Sequence, residues 1–310
     1  MHPFRFGVSA SAAASRMEFV DEARRAEDRG FSTLHVADHL VDQHAPLPAL
    51  VTAAEATSTL RVGTFVINND LRHPVLLARE AATVDVLSGG RLELGLGAGH
   101  MASEYDEAGL DFDDGRIRVD RLTESVAIIE TLLRGEACTF GGSHYAVRDH
   151  RIPRGIQRPR PPILIGGNGR RLHELAARHA DIVGFVGFTH RDRATRVDLS
   201  DFGPEALDRQ VARVREAAGE RFPRLELNAL LQRVIVTDDR RAIAEEEAAA
   251  SPSVLDPALL LDSPYILLGT TDEMIEQLRE RRRRFGISYW VCLAHHADAL
   301  APVVEVLAGE

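Results

Sequence analysis

Short apolar runs alternate with amphipathic segments along almost the whole chain. Eight of these runs predict β-strands, at residues 6–8, 34–37, 60–67, 92–97, 163–165, 182–186, 225–236 and 287–293. The segments between them have helical periodicity and the residues that begin and end helices. Ser15 and Glu18 have the spacing of a capping box, and Thr270 and Glu273 repeat it before the last strand. Pro74 stands where a helix prefers its first residue.

Strands separated by helices favour a parallel sheet with right-handed crossovers, and eight such units close into a (β/α)8 TIM barrel. The alternative is an open doubly wound sheet. It expects a GxGxxG turn after the first strand, where this chain reads Ser9-Ala10-Ser11. We expect one domain, 1–310, with two insertion segments. Residues 137–150 are typical of a hairpin, and residues 237–268 are rich in Glu, Ala, Ser and Pro.

Composition narrows the range of functions. The net charge of −10 argues against binding to nucleic acid or to an anionic membrane. The sequence has no stretch of 18 apolar residues and no secretory leader near its start, so we expect a cytoplasmic protein. All 37 basic residues are arginine. A Schiff-base aldolase, a pyridoxal-phosphate enzyme and a Walker-type nucleotide hydrolase each need a lysine, so these classes are excluded.

Candidate chemistry concentrates at the ends of the predicted strands, which in a parallel barrel form one face that carries the active site. The polar strand ends are Asp38-His39, Asn68-Asn69-Asp70, Ala98-Gly99-His100, Gly166-Gly167-Asn168-Gly169, Thr189-His190 and His295-His296. Several histidines therefore point to a pocket on that face. None of them has the spacing of a metal site, so we expect no metal.

Two of these strand ends can be interpreted in two ways. The turn from Gly166 to Gly169, followed by Arg170 and Arg171, is typical of a phosphate site, because glycine N–H groups, a helix start and arginine favour an anion. It also fits a simple glycine turn. His39 is either a proton donor or acceptor at the barrel mouth or a structural histidine.

Two residue groups away from the strand ends are interpreted as structural. The run 281–284 of four arginines predicts the solvated end of a helix. Trp290 belongs either to the core or to the pocket wall.

Several motifs together resemble the bacterial luciferase-like superfamily. They are Arg61-Val62-Gly63-Thr64, Asn69-Asp70, Arg72-His73-Pro74, Leu87-Ser88-Gly89-Gly90-Arg91, Gly95-Leu96-Gly97-Ala98-Gly99, Ala37-Asp38-His39, Arg158-Pro159-Arg160-Pro161-Pro162 and Leu268-Gly269-Thr270. Within that superfamily the chain is most similar to the actinobacterial branch that uses the deazaflavin coenzyme F420. The resemblance implies a (β/α)8 barrel with an insertion region, in agreement with the eight predicted strands.

The resemblance also implies roles for individual residues. The cofactor ring would rest on a strand-three bulge with a cis peptide at Phe65-Val66. Asn68, Asp38, Ala98 and Gly99 would lie beside the ring, and Gly166, Gly167, Asn168 and Gly169 would hold the phosphate. His39 would face the reacting carbon. The implied reaction is hydride transfer between F420 and a small organic substrate, either reduction of a C=C or C=N bond or oxidation of an alcohol. His39 is the first candidate for proton transfer and His100 the second.

One position departs from the family pattern. Sugar-phosphate dehydrogenases of this family carry a glutamate where this chain has His100, and they bind the sugar phosphate with lysines, which this chain lacks. A sugar-phosphate substrate is therefore not expected. Two other functions remain alternatives, namely an FMN-dependent monooxygenase and a non-catalytic partner subunit. The family also implies a homodimer that pairs through helices near 47–57 and 74–88.

Overall fold

The computed structural model describes residues 2–10, 12–191, 196–250 and 256–310. Of His190, Arg191 and Arg196 only the backbone is described. The predicted mouth histidine at 190 therefore has no described side chain, and part of the second insertion segment lies outside the described residues.

Strands and helices alternate as the sequence predicts. The strands are β1 (Arg5–Ser9), β2 (Thr33–Val36), β3 (Arg61–Thr64), β4 (Ile67–Asn68), β5 (Leu92–Gly97), β6 (Cys138–Gly141), β7 (Ala146–His150), β8 (Ile163–Gly166), β9 (Ile182–Phe185), β10 (Thr189–Arg191), β11 (Arg196–Asp198), β12 (Glu226–Leu231), β13 (Arg233–Val236), β14 (Ile266–Gly269) and β15 (Ile287–Leu293). The helices are α1 (Arg16–Asp28), α2 (Pro46–Ala56), α3 (Pro74–Leu87), α4 (Ala102–Ala108), α5 (Gly115–Leu133), α6 (Arg170–His179), α7 (Pro204–Ala218), α8 (Arg240–Ala250), α9 (Pro257–Asp262), α10 (Thr271–Phe285) and α11 (Ala297–Leu307).

The central sheet is a closed parallel barrel, which confirms the predicted (β/α)8 fold. The strands are ordered β3-β2-β1-β15-β12-β9-β8-β5-β4, and β3 also pairs with β5 to close the ring. Their apolar side chains are buried on both faces, as expected of strands covered outside by helices. No helix in the described parts of the chain is long and apolar enough to cross a bilayer.

The third predicted strand is interrupted. β3 ends at Thr64 and β4 begins at Ile67, and the intervening Phe65–Val66 peptide is cis, as the family resemblance implied. The bulge fits because the neighbouring strand is glycine-rich: a Cβ on Gly95 would lie 2.1 Å from the Thr64 carbonyl oxygen. Thr64 Oγ1 also donates to the Gly95 carbonyl oxygen at 2.8 Å. A side chain at position 95 would therefore displace the bulge.

The seventh predicted strand also divides into two. β12 belongs to the barrel, whereas β13 pairs in parallel with β14 in a separate two-stranded sheet. The second insertion segment contains α8, α9 and β14, so it has regular structure that composition alone did not predict. The first insertion segment is the predicted hairpin, formed by β6 and β7.

A buried polar cluster fills the barrel near the starts of its strands. The Glu93 carboxylate accepts hydrogen bonds from Arg5 at 2.6 Å and from Arg61 at 2.7 Å, and Arg5 also pairs with Glu226 at 2.6 Å. These arginines hold the pKa of Glu93 at about 2. Each buried charge is thus compensated, as a stable core requires.

The arginine run 281–284 was predicted to be the solvated end of a helix, and this prediction is wrong for Arg281. Arg281 is buried, and its Nη2 donates to the carbonyl oxygens of Ser263 and Ile266 at 3.2 and 2.6 Å. Its guanidinium lies 5.8 Å from the ring centre of Trp290, which is fully buried and outside the pocket lining. The helix turns position 281 inward while Arg283 and Arg284 stay exposed.

Candidate active site

A cleft of about 470 Å³ opens at the carboxyl ends of the barrel strands. The lining residues are Asp38, His39, Phe65, Val66, Ile67, Asn68, Gly97, Ala98, Gly99, His100, Glu104, Phe112, Gly115, Arg118, Val119, Gly166, Gly167, Asn168, Leu172, Gly184, Val186, Phe188, Thr189 and Leu230. The size is typical of a small-molecule site, and apolar side chains predominate. Every predicted site residue except Gly169 lines this cleft.

The floor of the cleft is shaped by Val66 and three glycines. A Cβ added to Gly97 would lie 2.5 Å from Val66 Cγ2. A Cβ added to Gly95 or to Gly166 would lie 3.2 Å from Val66 Cγ1. The side chain of the bulge therefore fills the space that these glycines leave open. Val66, Gly97, Gly166 and Asn68 all line the cleft.

Asp38 is a buried anchor for the end of strand three. Its carboxylate accepts the Asn68 backbone N–H at 3.1 Å and both guanidinium arms of Arg72, one of them, Nη2, at 3.1 Å. Arg72 was not singled out for this role by the sequence, although it belongs to the motif that carries the resemblance. Asp38 thus fixes the position of Asn68 as well as lining the cleft.

His39 is paired with a buried acid. Its Nδ1 lies 2.7 Å from Oε1 of Glu104, a residue only 3% exposed. His100 lies next to this pair, with its ring centre 5.3 Å from that of His39 in an edge-to-face arrangement. The two histidines that the sequence proposed as candidates therefore share one corner of the cleft, and Glu104 joins them there.

The short helix α4 carries Glu104 and packs against strand three through its next residue. The Tyr105 hydroxyl donates to Asn68 Oδ1 at 2.9 Å and lies 3.2 Å from Asp70 Oδ2. Gly99 permits this contact, because its φ is +75° and a Cβ there would lie 2.1 Å from the Tyr105 oxygen. Burial and Asp70 raise the pKa of Tyr105 to about 12, which keeps its hydroxyl a donor.

Arg118 closes another side of the cleft from α5. Its Nη1 donates to the carbonyl oxygens of Ala98, at 3.3 Å, and Gly99. Its guanidinium also lies over the Phe112 ring, 4.1 Å from the centroid. The positive charge of Arg118 is therefore engaged by the wall of the site.

The glycine turn after β8 only partly matches the predicted phosphate cradle. The Gly167 N–H donates to the Gly184 carbonyl oxygen at 3.2 Å and so continues the sheet. Asn168 lines the cleft, where its Nδ2 donates to the Phe188 carbonyl oxygen at 2.7 Å and its buried Oδ1 has no protein partner among the described residues. Gly169 lies behind it as the N-cap of α6.

The arginines expected to assist that cradle are directed elsewhere. Arg170 is 77% exposed and pairs with Glu174 at 2.8 Å, and Arg171 pairs with Asp120. Neither lines the cleft. The physical reason is that α6 begins at Arg170, so its side chain and that of Arg171 project from the outer surface of the helix. The structure does not direct either arginine at the cleft, and a bidentate arginine at this turn stays a prediction.

The remaining predicted strand end does not reach the cleft. His295 and His296 form a short 3₁₀ turn, with ring centres 4.1 Å apart, outside the lining. Among the residues that the structure describes, no group of three His, Cys, Asp or Glu side chains has a metal-binding arrangement.

Glu104 is the main residue that the sequence analysis missed. It lies four residues after His100 in a segment whose acids alternate with small residues, a pattern typical of a solvated surface. One signal was available: a turn of helix directly after a strand end places its third residue back over the barrel mouth. Leu172, which was assigned no role, also lines the cleft, from α6.

The family model described as luciferase-like monooxygenase matches residues 1–286. The chain belongs to the luciferase-like monooxygenase family. This family assignment confirms the resemblance seen in the motifs.

Two curated relatives carry the same name, F420-dependent glucose-6-phosphate dehydrogenase. The protein from Nakamurella multipartita is 31% identical over 307 residues, which cover 89% of this chain and 87% of the relative. The protein from Microbacterium testaceum is 34% identical over 201 residues, which cover 61% of this chain and only 58% of the relative.

A solved structure with the same fold is the coenzyme F420-dependent tetrahydromethanopterin reductase from Methanopyrus kandleri. It aligns with a TM-score of 0.78 over 98% of both chains at 19% sequence identity. At that identity the likeness supports the barrel fold alone.

Proposed function

We propose that the protein is an F420-dependent oxidoreductase that transfers a hydride between the deazaflavin and a small organic substrate. The F420-dependent relatives support the cofactor, and one of them matches 89% of the chain. The observation that carries the proposal is the cleft itself, which is lined by Val66, several glycines and His39.

The cleft residues fit a flat heteroaromatic ring. Gly97, Ala98, Gly166 and Gly184 present little side chain, and Val66 covers Gly97 and Gly166, so a planar group would lie on the Val66 side chain. The buried Oδ1 of Asn168 has no partner among the residues that the structure describes, so it is available to a polar group of a ligand. Asn68, held by Asp38 and Tyr105, offers a second amide in the lining.

The deazaflavin supplies the hydride chemistry, and the protein supplies geometry and a proton. His39 is about a quarter exposed and faces the cleft, so it holds or takes up the proton that accompanies the hydride. His100, in edge-to-face contact with it, is the second candidate. The apolar walls formed by Phe188, Val186 and Leu230 exclude water from the reacting atoms.

The substrate class we propose is uncharged, unlike that named for the relatives. Among the described side chains that line the cleft, Arg118 is the only arginine, and it is engaged by Ala98, Gly99 and Phe112. A phosphate would find no uncommitted guanidinium there. Because the chain has no lysine, the family's way of holding a sugar phosphate is also absent.

Cofactor titration tests the proposal. Purified protein is titrated separately with F420 and with FMN, and binding is followed by fluorescence. We expect F420 to bind at least tenfold more tightly, a difference of about 1.4 kcal/mol. Tighter binding of FMN, with oxygen consumption when reduced FMN is supplied, would instead establish the monooxygenase alternative. Binding of neither would indicate a non-catalytic member.

Turnover tests the substrate class. The F420-loaded protein is incubated with glucose 6-phosphate and, separately, with a panel of uncharged alcohols, and reduction of the cofactor is followed by absorbance. We expect reduction by a member of the uncharged panel and none by glucose 6-phosphate. Reduction by glucose 6-phosphate with a kcat/KM above that of every alcohol would overturn the substrate class and leave the cofactor assignment intact.

A further inference from the structure

We propose that Glu104 is a positioning residue that keeps the hydrogen of His39 on Nδ1, so that Nε2 faces the cleft as a proton acceptor. The inference rests on the proposed function for its catalytic consequence, but the tautomer itself is a property of the protein alone. It assigns a role to a buried acid that lies four residues after His100.

The contact is short and sheltered. Glu104 Oε1 lies 2.7 Å from His39 Nδ1, and the Glu104 side chain is 4% exposed against 26% for His39. Both residues line the cleft, and the acid is the more sheltered member of the pair. A charge-assisted hydrogen bond at this distance is among the strong ones that proteins make.

The chemistry of the two groups fixes which atom carries the hydrogen. A carboxylate has no hydrogen to give and can only accept. The ring nitrogen facing it must therefore donate, which places the hydrogen on Nδ1. A neutral imidazole has one donor and one acceptor, so Nε2 keeps its lone pair. When Nε2 takes up a proton, the adjacent carboxylate stabilises the resulting imidazolium.

The position of Glu104 is itself fixed by its neighbour. Tyr105 is 1% exposed, and its hydroxyl donates to Asn68 Oδ1 at 2.9 Å. The Asn68 backbone N–H is in turn bound by Asp38, the residue directly before His39. The acid and the imidazole therefore belong to one closed set of contacts, Asp38–Asn68–Tyr105 on one side and His39–Glu104 on the other. These contacts fix the orientation of the His39 ring before any ligand binds.

The direct test measures the tautomer without cofactor or substrate. Histidine is labelled with ¹⁵N, and the imidazole nitrogens are observed by NMR at neutral pH; His39→Gln identifies the His39 signals by their loss. We expect hydrogen on Nδ1 in the wild type. Glu104→Gln removes the carboxylate and offers an amide that can donate as well as accept, so we expect a mixture of tautomers. Glu107→Gln is the matched control, because Glu107 is exposed on the same helix, and we expect no change.

Activity of the F420-loaded protein provides the second measurement. Since a misassigned tautomer in a histidine–acid pair lowers kcat by about 10⁴ in a well-studied protease, we expect Glu104→Gln to lower the single-turnover rate by about 10² or more. In Glu104→Gln, KM should change little. The acidic limb of its pH–rate profile should move to lower pH, because the His39 imidazolium loses its counter-ion. Glu104→Asp, which keeps a carboxylate, should retain part of the rate that Glu104→Gln loses.

The outcomes separate the two proposals. Hydrogen on Nε2 in the wild type, or an unchanged tautomer in Glu104→Gln with a folded protein, overturns the positioning role. The expected tautomers in a protein that binds no F420 would support the positioning role and overturn the proposed function. A folded Glu104→Gln variant with the wild-type rate and pH profile would also overturn the positioning role.

Discussion

The Val66 side chain occupies the space that a Cβ on Gly97 would need, with 2.5 Å between that Cβ and Val66 Cγ2. The bulge between β3 and β4 and the glycine at the end of β5 are therefore matched to each other across the sheet. Their contact forms the part of the cleft floor on which the proposed cofactor ring would lie.

A methyl group at position 97 should disturb both stability and binding. We expect Gly97→Ala to lower the free energy of unfolding by about 1–3 kcal/mol, as overpacked sites do, and to weaken F420 binding at least tenfold. Gly141→Ala is the control, because nothing lies within 4 Å of a Cβ there and its φ is not positive. Urea denaturation and cofactor titration measure the two effects. If Gly97→Ala were destabilised but bound F420 as tightly as the wild type, the floor at Gly97 would not be part of the cofactor site.

Replacing each mouth histidine ranks the two proton-transfer candidates. We expect His39→Ala to lower the single-turnover rate by at least roughly 10², the usual lower bound for a positioned proton-transfer group, with little change in F420 affinity. His100→Ala should cost less. If His100→Ala has the larger effect and His39→Ala is near normal, the ranking is reversed. If neither variant is impaired, the proton comes from solvent or another residue.

The role of the turn after β8 in phosphate binding can be tested at Asn168. Asn168→Asp replaces the Nδ2 that donates to the Phe188 carbonyl oxygen with a like-charged oxygen near any phosphate. We expect F420 affinity to fall by at least a factor of ten, about 1.4 kcal/mol. Because the Arg170 side chain points outward, the F420 affinity of Arg170→Gln should stay within about twofold of the wild-type value. If F420 affinity fell in Arg170→Gln alone, phosphate binding would be assigned to Arg170 and not to Asn168.

The buried His35 should make folding stability depend on pH. Burial lowers its pKa to about 4, with Glu93 and Arg5 nearby and Tyr289 Oη 2.5 Å from its Nε2. In the unfolded chain its pKa is about 6.5, so the unfolded state binds a proton that the native state refuses as pH falls below that value. The stabilising contribution is therefore present above about pH 6.5 and is lost towards pH 4.

The expected slope is about 1.4 kcal/mol per pH unit for His35 within that window. His173, whose pKa burial also lowers to about 4, adds a slope of the same sign. Urea denaturation from pH 7 to pH 5 should show a shallower decline in His35→Gln than in the wild type. His150→Gln, a change at an exposed site, should leave the slope unchanged. Equal slopes in all three proteins would contradict the assignment of a neutral His35.

Pairing of two chains remains a prediction, and α3 offers the surface for it. Leu76, Val86 and Leu87 are each about half exposed on this helix. We expect light scattering to give twice the chain mass of 34.1 kDa at micromolar concentration, and Leu87→Glu to shift the protein towards monomer. Val306→Glu, a similar change on α11, should not. A wild-type mass of 34.1 kDa across a wide concentration range would refute the dimer.

The sequence predicted the barrel well because each parallel strand is buried on both faces and so appears as a continuous apolar run. The break at Phe65–Val66 lies inside such a run and has no periodic signal; only the family resemblance located it. Glu104 was missed for a different reason. In a seven-residue helix, one buried acid among exposed acids leaves no stripe to detect.

Arg281 illustrates the same limit from the opposite direction. A run of four arginines looks uniformly solvated, yet helical geometry turns one of every few positions inward, and the carbonyl oxygens of Ser263 and Ile266 accept it there. Pattern reveals which faces exist, whereas the identity of a buried polar partner depends on contacts between distant parts of the chain.

The division of the seventh strand has a consequence for how the mouth can diversify. Only Gln232 separates β12, in the barrel, from β13, which holds β14 in parallel register. The second insertion segment is therefore anchored at both of its ends by one small sheet that shares no ladder with the barrel. A change of length between those anchors alters no ladder of the barrel, because β13 and β14 pair only with each other. None of the described residues of the insertion lines the cleft, so the segment can vary while the catalytic floor keeps its lining.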